Sequence, residues 1–135
     1  MIVSLHVATG AAAGALAGSP KGAVLLGPPL HMAGDRMPHR DIHDRRFEVV
    51  SGLFCLGLLA ARRGPFDSAT LGAAACSAPD LEHLFRWVRP GGRKVFHSRL
   101  TSGGHGRGVP TSVQLVLAGA IVGWLVGGAA SGSRR

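Results

Sequence analysis

Apolar residues occur in long runs along this chain, and short polar or charged segments separate the runs. The runs cover residues 1–19, 22–35, 47–61, 68–78 and 109–133. Each run is long enough for several helical turns, and none shows the strict apolar–polar alternation of a half-buried strand. Proline, glycine or arginine follows most of them, as is typical of helix ends. The pattern therefore predicts an all-α fold, a small bundle of helices.

The segments between the runs carry most of the polar residues. Pro28 and Pro29 lie inside the second run and predict a helix that is kinked or restarts there. Residues 37–46 are charged with alternating signs, which predicts a loop. Residues 86–107 are basic and rich in glycine, which predicts a second and longer loop. A short helix over residues 80–87 is expected just before it.

Glycines at every fourth position mark the first run. Gly10, Gly14 and Gly18 would lie on one helix face, and His6 falls on that face too. Small residues at this spacing let two helices approach closely, as in membrane bundles. A secretory signal peptide is the competing interpretation, because residues 15–17 resemble a cleavage site. The run has no positively charged start, which argues against a signal peptide.

The last run, residues 109–133, contains no charged residue and is followed by two arginines. About 20 apolar residues suffice to cross a bilayer as a helix, so this run predicts a C-terminal transmembrane helix. The alternative is a buried helix of a soluble protein. Three glycines would give the helix a small-residue packing face: Gly119, Gly123 and Gly127.

Composition supports a membrane location more than a nucleic-acid-binding function. The chain has 135 residues, which is one domain, and only 16% are charged, whereas about 25% is usual for soluble domains. Its formal charge of +8 would attract nucleic acid or an anionic membrane surface. Aromatic residues make up only 5%, so few side chains are available to stack on bases. Location in the inner cell membrane is therefore the expectation, and nucleic-acid binding is the least favoured alternative.

One polar stretch, residues 25–44, concentrates histidines and aspartates. His31 and Asp35 are four residues apart, so a helix would place both on one face. Pro38 would end that helix and let His39 and Asp41 fold back from a loop. Imidazole nitrogens and carboxylate oxygens are ligands that Zn²⁺ prefers, so this stretch predicts half of a metal site. In the alternative interpretation, His31 and Asp35 simply pair with each other.

A second candidate cluster lies in the sequence PDLEH. Asp80 and His83 are three residues apart and would share a helix face. The alternative is ordinary helix-start chemistry, with Ser77 and Asp80 as a capping box and Glu82 paired to Arg86. Unpaired ionisable groups on apolar helices are costly, which favours a metal-binding interpretation once two clusters occur in one short chain.

The order of these motifs resembles that of small bacterial membrane-bound metal-dependent hydrolases, a family distantly similar to zinc-dependent phospholipase C. The similarity covers residues 5–99 and rests on short motifs: His6 with Gly10; His31, Asp35, Pro38, His39 and Asp41; Pro79, Asp80 and His83; and His97 with Ser98. This chain has Leu5 where family members often have threonine or serine. Its residues 92–98 also lack the first histidine of the family's late motif.

Together, the clusters and the resemblance predict a membrane-embedded hydrolase that uses metal-activated water on a phosphoester or lipid-like substrate. Residues 1–108 would form the helical metal-site region, and residues 109–133 the apolar helix of the same domain. The expected cofactor is a divalent metal, zinc, with ligands drawn from seven side chains: His6, His31, Asp35, His39, Asp80, His83 and His97.

Further polar side chains near the predicted metal site have expected roles of their own. Asp41 or Glu82 would act as the general base or support a ligating histidine. Basic side chains would hold an anionic head group: Arg86, Arg93 and Lys94. A non-catalytic structural or adaptor membrane protein is the alternative function, in which the histidines only pack and form hydrogen bonds.

Overall fold

A computed structural model of the chain describes residues 1–85, 89–94 and 108–132, and within these ranges every regular element is helical. The predicted all-α fold is confirmed. Short 3₁₀ turns occur at Ala78–Asp80 and Pro90–Gly92. The α-helices follow in chain order: α1 (Val3–Ala17), α2 (Pro20–Arg36), α3 (Arg45–Arg63), α4 (Ser68–Ser77), α5 (Leu81–Leu84) and α6 (Thr111–Gly132).

Helix α2 has one buried face on which small and polar residues recur every fourth position. The Ser19 hydroxyl accepts a hydrogen bond from the Gly22 amide at 3.2 Å and begins the helix. The helix then continues through both internal prolines to Arg36, so the restart predicted at that point does not occur. Its buried face packs against neighbouring helices, which holds the segment helical despite the prolines: Ala23, Gly27, His31 and Asp35.

Helices α1 and α4 cross at glycines. A Cβ atom added to Gly72 would lie 2.9 Å from the Gly14 Cα and would overlap the Gly10 carbonyl oxygen. The predicted close-packing face of α1 therefore exists at Gly10 and Gly14, whereas Gly18 ends the helix with φ +64°. On α2, a Cβ added to Gly27 would lie 2.5 Å from the Ala75 Cβ. These contacts bring α1, α2 and α4 together around one small region.

Helix α6 packs through larger residues than the sequence pattern indicates. Ala118, Val122 and Leu125 are buried against the rest of the bundle. A Cβ added to any glycine of the predicted packing face, residues 119, 123 and 127, would meet no atom of the described residues within 4 Å. That part of the prediction is wrong, because α6 turns its bulkier face inward and leaves the glycines outside.

Among the described residues, α6 is the helix with the length and hydropathy needed to cross a membrane. Its window Thr111–Gly128 has a mean hydropathy of 1.6 and is only 22% buried. The outer face carries large apolar side chains, including Val116 and Trp124, each 71% exposed. The case for α6 as a membrane-crossing helix rests on its length and composition alone.

Asp67 connects α3 to the start of α4. Its carboxylate accepts hydrogen bonds from the Ala69 amide at 2.9 Å and from the Arg63 Nε at 2.9 Å. Burial by itself raises the pKa of Asp67, but the hydrogen bonds from Arg63 and from backbone amides outweigh it. The pKa is therefore lower than the ordinary value of 3.8. The charged form is the one that stabilises this corner of the bundle.

We expect Asp67→Asn to lower the free energy of unfolding by about 1 kcal/mol at pH 7, since the cap weakens and the ion pair is lost. A carboxylate with a lowered folded-state pKa contributes stability above its unfolded pKa, and the contribution is lost as the pH falls through the folded value. The difference between wild type and variant should therefore shrink below about pH 4. Denaturant unfolding at several pH values would measure the difference in free energy of unfolding between wild type and variant. A difference that is undiminished at pH 3 would contradict a stabilising role for the charged form of Asp67.

Candidate metal centre

Two histidines from different helices meet in the interior of the bundle. His6 of α1 and His31 of α2 are both fully buried, with no exposed surface. Their rings stack with centroids 3.9 Å apart and planes 25° from parallel. Asp80, at the end of the 3₁₀ turn after α4, completes a group in which one ligand atom of each residue lies within 4.8 Å of the others. Three predicted ligands from three segments of the chain therefore converge.

The carboxylate of Asp35 lies against both imidazoles. Its Oδ1 is 2.9 Å from the Nε2 of His6, and its Oδ2 is 3.3 Å from the Nε2 of His31. The same His31 nitrogen is 3.8 Å from the Oδ1 of Asp80. The spacing of four residues on α2 does place His31 and Asp35 on one face, as the sequence predicts. One carboxylate group therefore joins the two imidazoles.

The pKa of His6 favours the neutral imidazole. Burial lowers this pKa most, and the neighbouring His31 lowers it further, while the hydrogen bond with Asp35 acts in the opposite direction. The net shift is downward from the ordinary value of 6.5. A neutral imidazole has a free nitrogen lone pair, which is the form that binds a metal ion.

His39 and Asp41 approach the same region from the loop between α2 and α3. The Nδ1 of His39 donates a hydrogen bond to the Met37 carbonyl oxygen at 2.6 Å, which directs its Nε2 towards the cluster. That Nε2 contacts the amino group of Met1, which is itself 2.7 Å from Asp35 Oδ1. Asp41 Oδ1 lies 3.1 Å from the same histidine nitrogen.

The start of α6 holds this loop in position. Val109 donates to the Pro38 carbonyl oxygen at 3.0 Å, and its own carbonyl oxygen accepts from the Arg40 amide at 3.1 Å. Gly108 has φ +142°, and a Cβ there would overlap the Pro38 carbonyl group, so only glycine fits. The buried side chain of Gln114 donates to the Arg40 carbonyl oxygen at 2.8 Å. The apolar helix therefore orients the loop that carries His39.

Acidic residues are concentrated around one cavity beside these groups. The cavity has a volume of about 270 Å³. Four of the seven acidic residues of the chain line it, whereas Arg45 is the one arginine or lysine among the described residues of its wall. We call it the acidic cavity and define its polar end by these four carboxylates: Asp35, Asp41, Glu48 and Asp80.

Glu48 and Arg45 were not among the candidate site residues that the sequence indicated. Burial raises the pKa of Glu48 above its ordinary value of 4.5, and the charge of Asp80 raises it further, while a hydrogen bond from the Val3 amide opposes both. A raised pKa in a cleft is typical of carboxyl groups that transfer protons. In the sequence, the feature that could have indicated this role is the position of Glu48, an acidic residue near the start of an apolar run.

The other predicted residues lie at varying distances from the cluster. His83 lines the acidic cavity together with Asp35 and Asp80, and its Nδ1 accepts a hydrogen bond from the Lys94 Nζ at 3.1 Å. Glu82 is only 2% exposed and is not part of the described cavity wall, so its catalytic role stays a prediction. Two predicted residues lie outside the described residues: His97 and Arg86.

The capping box predicted at Ser77 and Asp80 is wrong. The Ser77 hydroxyl donates to the Ala73 carbonyl oxygen at 3.0 Å instead of capping the next helix. Asp80 also forms no side-chain cap, because its carboxylate lies on the side of the buried histidines. Asp80 is therefore part of the cluster and not of ordinary helix-start chemistry.

Comparison of the chain with protein-family models, with curated proteins and with solved structures found no match. The resemblance to membrane-bound metal-dependent hydrolases therefore stays a prediction from the motifs. The chemistry of the side chains that the fold brings together is the remaining guide to function.

Proposed function

We propose that this chain is a membrane-associated, metal-dependent hydrolase, whose metal ion is held by His6, His31 and Asp80 with Asp35 beside them. The observation that carries the proposal is the distribution of acidic residues. In a chain with a formal charge of +8, four of seven acids surround one cavity next to two fully buried imidazoles. Carboxylates gathered in a partly buried site favour a bound cation, and the amino group of Met1, 2.7 Å from Asp35 Oδ1, supplies one positive charge there.

The donor set fits zinc. Two imidazole nitrogens and one or two carboxylate oxygens form a typical catalytic zinc site, with a further coordination position left for water or substrate. Contacts with neutral imidazoles explain part of the same arrangement. The Nε2 of His6 forms a hydrogen bond with Asp35 Oδ1, and the Nε2 of His31 lies 3.3 Å from Asp35 Oδ2. A cation in the cavity would in addition balance the charge of several carboxylates at once.

A zinc ion bound there would supply Lewis acidity towards a phosphoryl oxygen and towards water. The chain itself supplies the groups that move protons and hold charge. Asp41 and Glu48 line the cavity, and the raised pKa of Glu48 suits it to deliver a proton to a leaving oxygen. Arg45 lies at the same polar end, where its guanidinium would attract an anionic group; it also donates a hydrogen bond to the His83 carbonyl oxygen at 3.0 Å.

The surface of the bundle supports a location in the membrane. Helix α3 buries only Gly52 and Leu59 among its 19 residues and exposes large apolar side chains. Together with the large apolar side chains on the outer face of α6, these exposed side chains form a surface that lipid would cover. We propose that α6 crosses the inner membrane and that the substrate is a phosphoester of lipid-like character.

The test is a metal-dependence assay on detergent-purified protein. Loaded with Zn²⁺, the wild type should hydrolyse bis(p-nitrophenyl) phosphate, lose the activity to a chelator and regain it with added zinc. Asp80→Asn keeps the side-chain shape but removes the charge, so we expect activity to fall at least about 100-fold.

His43→Ala is the matched control for this assay. His43 is exposed in the loop and lies outside the described cavity wall, so this variant should keep wild-type activity. Turnover that survives both the chelator and the Asp80→Asn substitution would overturn the proposal. Stoichiometric zinc without any turnover would instead favour the second candidate function.

That second candidate is a structural or adaptor membrane protein without catalysis. The contacts of both imidazoles with the Asp35 carboxylate favour it, because the hydrogen bond between His6 and Asp35 holds α1 against α2 without a metal ion. The nucleic-acid-binding alternative depends on the basic segment 86–107, most of which lies outside the described residues. Nothing in the described part of the chain adds support to it.

A further inference from the structure

The acidic cavity has an apolar arm between α1 and α3. Two valines of α1, Val3 and Val7, form one side, and three residues of α3 form the other: Val49, Leu53 and Leu56. Gly52 lies between them without a side chain, and a Cβ there would be 2.6 Å from the Val3 Cγ1. A cavity with one acidic end and one apolar end matches an amphipathic ligand better than a small polar one.

The apolar arm opens at the outer face of α3. Leu53 lines the cavity and yet is 62% exposed, so it stands at the mouth. Val50 and Phe54 beside it are 63% and 69% exposed, and both are apolar. A ligand that reaches the cavity along this side crosses an apolar rim, whereas water-soluble ligands would gain nothing from such an entrance.

The size of the cavity limits what it can hold. Its volume of about 270 Å³ is close to the lower end of the range for small-molecule sites, roughly 300–1,000 Å³. That space accommodates part of one alkyl chain and not the two chains of a whole phospholipid. At the polar end, the guanidinium of Arg45 would attract an anionic head group, and the amino group of Met1 lies in the same wall, 2.7 Å from Asp35 Oδ1.

We propose that the apolar arm binds a single alkyl chain of a phosphoester lipid and places the head group beside Asp35, Asp80 and Arg45. As a statement about substrate, this inference rests on the proposed function. Binding of the alkyl chain can nevertheless be measured without turnover, so either proposal can fail while the other stands.

The experiment measures affinity against chain length in the zinc-loaded, full-length protein. The protein is held in an amphipathic polymer, because alkyl detergents would compete for the arm. Inorganic phosphate, butyl phosphate and octyl phosphate are titrated by calorimetry. Each methylene that enters the arm should raise the affinity by up to about fourfold, so octyl phosphate should bind far more tightly than butyl phosphate.

Two valines, one in the arm and one far from it, provide a matched pair of variants. Val49→Trp fills the arm and should abolish the dependence on chain length, while binding of inorganic phosphate stays unchanged. Val116→Trp adds the same bulk to the exposed face of α6, outside the described cavity wall, and should behave as wild type. Val49→Phe, a smaller filler, should give an intermediate dependence and guards against a Val49→Trp protein that does not fold.

The outcomes separate the two proposals. A chain-length dependence that survives in Val49→Trp, or that disappears equally in Val116→Trp, would overturn the inference, because the arm would then not be where the alkyl chains bind. Hydrolysis that is insensitive to Val49→Trp and to chain length would leave the hydrolase standing and remove the alkyl-chain site. A dependence abolished by Val49→Trp in a protein without turnover would support the site and overturn the enzyme.

Discussion

Substitution of His31 by glutamine is expected to weaken zinc binding at least about 100-fold. His31 is fully buried, and its Nε2 faces both Asp35 and Asp80, so no other side chain of the cluster can take its place without moving. Removing a group that merely supports a metal ligand already weakens binding by about 10- to 100-fold, and a lost ligand should cost at least as much. Glutamine keeps most of the volume, so the core should still be filled.

Metal content after dialysis against a competing chelator would measure this effect. Zinc should also raise the melting temperature of the wild type, since an ion at 100 times its Kd adds about 2.7 kcal/mol to stability, and the variant should lose that shift. The matched control is His43→Gln, which changes an exposed loop histidine and should retain both properties. Equal zinc binding by wild type and His31→Gln would mean that the ion binds elsewhere. If the wild type retained no zinc after dialysis, the histidines would have a structural role only.

Alanine at Gly72 and alanine at Gly57 should change stability in opposite directions. At Gly72 the new Cβ would lie 2.9 Å from the Gly14 Cα and would overlap the Gly10 carbonyl oxygen. Both neighbours are backbone atoms that can move only if α1 shifts away from α4. We expect Gly72→Ala to lower the free energy of unfolding by about 3 kcal/mol. A Cβ added to Gly57 would meet no neighbouring atom within 4 Å. We therefore expect Gly57→Ala to raise the free energy of unfolding by about 0.5–1 kcal/mol, because alanine has the higher helix propensity.

Thermal unfolding of the two variants in the same detergent would measure the difference. Zinc affinity should also fall in Gly72→Ala, because α1 carries His6 and any shift of α1 moves that imidazole away from His31. Gly57→Ala should leave zinc affinity unchanged. Equal and small effects on stability would show that α1 and α4 do not approach as closely as these contacts indicate.

Much of the local structure was predictable because it depends on spacing along a single helix. The apolar runs predicted the long helices, and the interval of four residues predicted that His31 and Asp35 share a face. Asp80 was predicted as a metal ligand from its motif alone. Its position 3.8 Å from His31 depends on where the turn after α4 leads, and no local pattern encodes that.

The sequence by itself determined which segments are helical and which side chains share a helix face, because helix geometry repeats every 3.6 residues whatever surrounds it. The tertiary structure alone decided which faces meet. Glycines at every fourth position occur on both α1 and α6, yet only those of α1 pack against another helix among the described residues. The same packing brings Glu48 and Arg45 to one cavity with Asp80. Small residues permit close approach, but burial of the larger apolar side chains selects the partner.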